Sequence, residues 1–132
     1  MDAQALFLQT GGSLIAILAL YFVARALKVG GKPRLADEAQ VQACAGEVEE
    51  GFDAQRVSIA RDGTAALARD ADGRIMVIKR HGNRFAGRVL TRSAAVREEV
   101  DGLVVDTAEA RFGAVRLSID DPAYWADAIN RL

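Results

Sequence analysis

Seven positive side chains fall between residues 74 and 97: Arg74, Lys79, Arg80, Arg84, Arg88, Arg92 and Arg97. No Asp or Glu interrupts them. Residues 98–109 reverse the sign, with Glu98, Glu99, Asp101, Asp106 and Glu109 and no Lys or Arg. A concentrated positive surface has three uses: it can be solvated and paired with the chain's own carboxylates, dock an acidic protein, or contact anionic lipid. Nucleic acid does not fit. Residues 35–132 hold 13 positive and 17 negative side chains, a net of −4, and aromatics do not interleave with the arginines.

Other candidates for chemistry are weaker. Asp70 and Asp72 before Gly73 resemble the start of a calcium loop, but the apolar run Ile75–Ile78 stands where further oxygen ligands would have to be, so a turn is expected. His81 is the one histidine and adjoins Gly82 in a basic hairpin; no serine or carboxylate is spaced to work with it. Residues 82–87, Gly-Asn-Arg-Phe-Ala-Gly, lack the Lys-Ser/Thr ending of a phosphate loop and read as a strand in which Gly87 permits a bend. Cys44, the single cysteine, excludes an internal disulfide and has no positive neighbour in sequence to activate it. No metal or cofactor is expected, and no enzymatic activity.

These residues need elements to position them. Asp37 is a candidate N-cap with Gln40 as its capping-box partner, opening a helix to about Glu50 that Gly51 ends. Val41, Cys44, Ala45 and Val48 form its narrow apolar face, and Glu38, Glu47, Glu49 and Glu50 the other. From Gln55 the period changes from 3.6 to 2. Val57 and Ile59 alternate, Asp62-Gly63 and residues 70–73 supply turns, and residues 75–78 (IMVI) read as a central strand. Phe85, Gly87 and Val89 face one way and Arg84 and Arg88 the other. Weaker strands follow near residues 94–97 and 103–105, and Val115, Leu117 and Ile119 alternate clearly. Asp121 as cap and Pro122 at the first position open a final helix with Trp125, Ala128, Ile129 and Leu132 on one stripe.

The start of the chain is a different material. Between Asp2 and Arg25 lie 22 residues without a formal charge. At about 1.5 Å per helical residue they match a hydrocarbon core of about 30 Å. A cleaved signal peptide needs a positive segment first, and only Asp2 precedes the apolar run. Arg25, Lys28, Lys32 and Arg34 follow the span and none precedes it, which places the N-terminus outside and the remainder in the cytoplasm. Tyr21 and Phe22 are the interfacial aromatics of that inner boundary. Gly12 and Ala16, four apart, would allow a second membrane helix to approach and form a homodimer, although small residues are also common in such helices.

The order of six or seven strands and a closing helix resembles the pleckstrin-homology-like fold, over roughly residues 55–132, with Trp125 at the place of a tryptophan often found in that closing helix. The block FGAVRLSIDDPAYWADAINRL also looks like small single-span membrane proteins of alphaproteobacteria. The expected architecture is therefore α+β. Residues 1–27 form a transmembrane helix in a bacterial inner membrane, and 28–35 a basic linker. Residues 36–132 form a cytoplasmic domain with an acidic helix over 36–51, antiparallel strands over 55–120 and a closing helix over 121–132. The expected role is a non-catalytic, membrane-tethered interaction module for a membrane-protein or acidic partner. The rival is a sensor of anionic lipid using the arginine-rich hairpin; the pleckstrin-like resemblance slightly favours lipid but implies the first hairpin, which here carries only Arg56, Arg61 and Arg69, mixed with Asp62.

Overall fold

A computed structural model describes residues 16–20 and 33–132. Residues 16–20 are helical and exposed. Among the described residues no helix is long and apolar enough to cross a membrane. The expected span, apart from 16–20, lies outside them, as do Gly12, Tyr21, Phe22, Arg25, Lys28 and Lys32.

Pro33–Leu132 form one compact unit of α+β class. Helix α1 (Glu38–Val48) precedes seven strands: β1 (Ala54–Ile59), β2 (Ala65–Asp70), β3 (Ile75–His81), β4 (Arg84–Val89), β5 (Ala95–Glu99), β6 (Gly102–Asp106) and β7 (Ala114–Ser118). Helix α2 (Pro122–Asn130) ends the fold. The first four strands make one antiparallel meander and the last three another. The sheets meet at a corner where the Arg61 amide donates to the Ser118 carbonyl at 3.0 Å.

Two apolar layers lie on opposite faces of the four-stranded sheet. Leu67, Ile75 and Val77 face inward against Leu103, Val105, Val115 and Leu117 of the second sheet, with Trp125 and Ile129 of α2. Ala66, Ala68, Met76 and Ile78 face α1 through Val41 and Ala45, with Leu35 and Phe52 at the margins. A strand covered on both sides has no polar face to alternate with, which is why β3 begins as a continuous apolar run. The small face of α1 packs closely. At Gly87 an added Cβ would lie 2.9 Å from Val48 Cγ2. The β3–β4 register runs unbroken through Gly87, and its missing side chain lets α1 approach.

The caps differ in detail from expectation. Asp37 accepts from the Gln40 amide at 2.9 Å, but the Gln40 side chain reaches back to the Ala36 amide, one residue beyond a capping box. Asp121 stands at the N-cap position of α2 without capping it. Its carboxylate instead accepts from Ser58 Oγ at 2.9 Å and pairs with Arg56 at 3.1 Å. Ser58 Oγ in turn accepts from Trp125 Nε1 at 2.8 Å. The linker also ends earlier than expected. Leu35 is buried, its amide donates to Gly63 O at 2.8 Å, and Arg80 donates to Pro33 O at 3.3 Å. Gly63 is needed there: its φ is +72°, and a Cβ would sit 3.0 Å from Arg34 Cβ. Beside it, the Thr64 hydroxyl and amide hold the Asp62 carboxyl below its ordinary range.

Candidate functional site

The basic run is not one patch. Arg74 closes the β2–β3 turn: the Asp70 carboxylate accepts from the Asp72 amide at 3.1 Å, the Arg74 amide at 2.8 Å and Arg74 Nε at 2.6 Å. Arg74 also reaches Glu49 at 3.8 Å and lies over the Phe52 ring. The Asp70–Gly73 segment is therefore a turn tied by its own carboxylate. Arg80 faces the α1 side and holds Pro33. Arg97 lies on β5 in the second sheet, beside Glu99 at 3.4 Å, and Glu99 also takes Arg116 at 3.2 Å.

The β3–β4 hairpin does concentrate charge. Cross-strand pairs Val77–Arg88, Lys79–Ala86 and His81–Arg84 put Lys79, His81, Arg84 and Arg88 on one face, as the alternation predicts. The β6–β7 connection covers part of it. Phe112 is buried with Lys79 4.5 Å and Arg88 5.0 Å from its ring centroid, Lys79 donates to its carbonyl, and Arg88 pairs with Glu109 at 2.8 Å. These contacts spend Arg88 on Glu109 of the acidic segment and Lys79 on the carbonyl and ring of Phe112. His81 is exposed at the strand end.

Arg84 and Arg92 remain exposed, and among the described residues neither has a carboxylate partner. Arg84 also rims an open groove of about 470 Å³ between β4 and α1, lined by Phe85, Val48, Cys44 and Glu47. Sequence reasoning found Arg84 but not the groove, because its other wall is a helix about forty residues earlier in the chain. Burial, then the nearby Glu47 carboxylate, push the Cys44 thiol above its ordinary value, so at neutral pH it stays a protonated, slow nucleophile. Among the described residues no cluster of His, Cys, Asp or Glu could hold a metal ion. What the arrangement offers is recognition: a guanidinium beside a half-apolar slot. No family model, curated protein or solved structure matches this chain.

Proposed function

We propose that this chain is a non-catalytic interaction module tethered to a bacterial inner membrane, and that it docks an acidic surface of a protein partner through the β3–β4 hairpin. The observation that carries the reading is Arg84: exposed, without a carboxylate partner among the described residues, and set at the rim of an open, partly apolar groove. The tether rests on the 22-residue uncharged stretch before Arg25 and the basic residues that follow it. Arg34, which belongs to that basic group, is exposed at the start of the folded unit. A pleckstrin-homology-like fold is supported by the element order, four strands then three then a helix, and by Trp125 buried between the sheets. Confinement to a thin layer raises the domain's effective concentration for partners in the same membrane.

Anionic lipid is the second reading, favoured by the exposure of Arg84 and Arg92 together. Protein is preferred because Glu47 lines the same groove as Arg84 and would face the headgroups. The test is a gentle-detergent pull-down of the full chain from membranes washed in alkaline carbonate, read by mass spectrometry. The chain is expected in the washed membranes, and Arg84→Glu is expected to lose partners that the parent retains. Release of the parent by carbonate overturns the tether. An unchanged partner set in Arg84→Glu overturns the docking surface, and salt-sensitive binding to anionic vesicles would then establish the lipid reading.

A further inference from the structure

One large apolar side chain of the described 33–132 unit is exposed. Val100, at the apex of the β5–β6 hairpin, is 100% exposed. Hairpin tips usually carry Gly, Asn, Asp or Ser, so a valine there is out of place chemically. Its neighbours are Glu98, Glu99 and Asp101. Glu99 is engaged with Arg97 and Arg116, while Glu98 and Asp101 are exposed and in no ion pair among the described residues. The tip is thus an apolar knob between two carboxylates.

The groove at Arg84 has the complementary character. It is bounded by Val48, Phe85 and the half-buried Cys44, has room for a valine side chain at about 470 Å³, and carries an arginine on its strand rim. Glu47 on the helix rim gives it a polarity, so that an acidic tip enters with its carboxylates toward Arg84. Within one molecule the two cannot meet. The groove opens where α1 covers the outer face of the four-stranded sheet, whereas Val100 ends the three-stranded sheet beyond that sheet's inner face.

We propose that the β5–β6 tip of one copy, Val100 with Glu98 and Asp101, seats in the α1–β4 groove of a second copy against Arg84. This rests on the reading of Arg84 as a receptor for an acidic protein surface, and it names that surface. The contact joins different patches of the two copies, so a bound pair still has one free groove and one free tip, and association continues head to tail. A contact of this size is weak between free molecules and is strengthened when both copies are held in one membrane.

Cys44 lines the groove and is the only cysteine, which makes it a reporter. Full-length Val100→Cys in reconstituted bilayers, oxidised with copper–phenanthroline at mildly alkaline pH, is expected to give a disulfide-linked dimer on a non-reducing gel. Ala71→Cys, an exposed control in the β2–β3 turn, is expected to give far less. Adding Arg84→Glu to Val100→Cys is expected to cut the dimer by about two- to tenfold, the range of one or two exposed charge pairs. A second measurement does not depend on thiol reactivity. Energy transfer between labelled copies of the otherwise native chain should fall in Arg84→Glu and recover when Glu98→Arg and Asp101→Arg are added. Equal dimer from Val100→Cys and Ala71→Cys, together with energy transfer indifferent to Arg84, overturns self-docking. That failure is separate from failure of the docking surface itself, which is read from other proteins lost in the Arg84→Glu pull-down.

Discussion

Gly87 sets how near a helix can come to a sheet. A methyl group there would meet Val48 Cγ2 at 2.9 Å and Met76 Sδ at 3.3 Å. Gly87→Ala is expected to cost about 1–3 kcal/mol, the range for overpacking a filled interior. Val48→Ala removes the obstructing methyls, so the double variant should be more stable than the sum of the single losses. Chemical denaturation of the four proteins checks this, and strict additivity would show that the clash is not the cause. Asp70 teaches a related lesson. The sequence marked its turn, but not that the carboxylate would be buried and satisfied by two backbone amides and Arg74. Turn chemistry is local and legible; burial depends on what later parts of the chain bring over it.

At the scale of elements, α2 is fastened by groups that its own sequence does not contain. Trp125 Nε1 donates to Ser58, Ser58 to Asp121, and Tyr124 receives Arg69 at 2.8 Å while its ring lies 3.5 Å from Arg56 Cζ. Ser58→Ala leaves the buried indole N–H without an acceptor. It should cost about 1–3 kcal/mol, with amide exchange quickening in α2 before it quickens in β2 and β3. Uniform quickening would mean that the network does not act as a latch. Asp121 was legible as a residue at a helix start, and its position is correct. Its task was not legible, because the partner lies 63 residues away. Strands were readable where one face is solvated, as in β4 and β7, and β3 was readable from its unbroken apolar run. β5 gave a weak signal because its residues are mostly charged, and its place is set by pairing with β6. The layer formed by α1 over the first sheet showed in the sequence only as a narrow stripe of alanine, cysteine and valine, too small to name the surface it covers.

For the molecule as a whole, both apolar layers are closed by residues between Leu35 and Leu132. Residues 33–132 expressed alone are therefore expected to unfold in one cooperative transition, coincident by near- and far-ultraviolet circular dichroism. Two separated transitions would mean that α1 and its layer melt independently of the inner core. The charge run shows where a linear reading stops. Seven positives close together in sequence are distributed by strand register over turns, both faces of one sheet and a second sheet, and among the described residues Lys79, Arg80, Arg84 and Arg92 are left without carboxylate partners, the first two bonded to backbone carbonyls. The sign of the segment was legible and its spatial grouping was not. The attachment at Pro33–Leu35 has a mechanical meaning. A pull arriving from the preceding chain is borne first by the Leu35–Gly63 hydrogen bond beside the β1–β2 turn and by Arg80 of β3 on Pro33. Tension would thus peel the lead segment and α1 away residue by residue, while the inner sandwich, loaded later, keeps its shape.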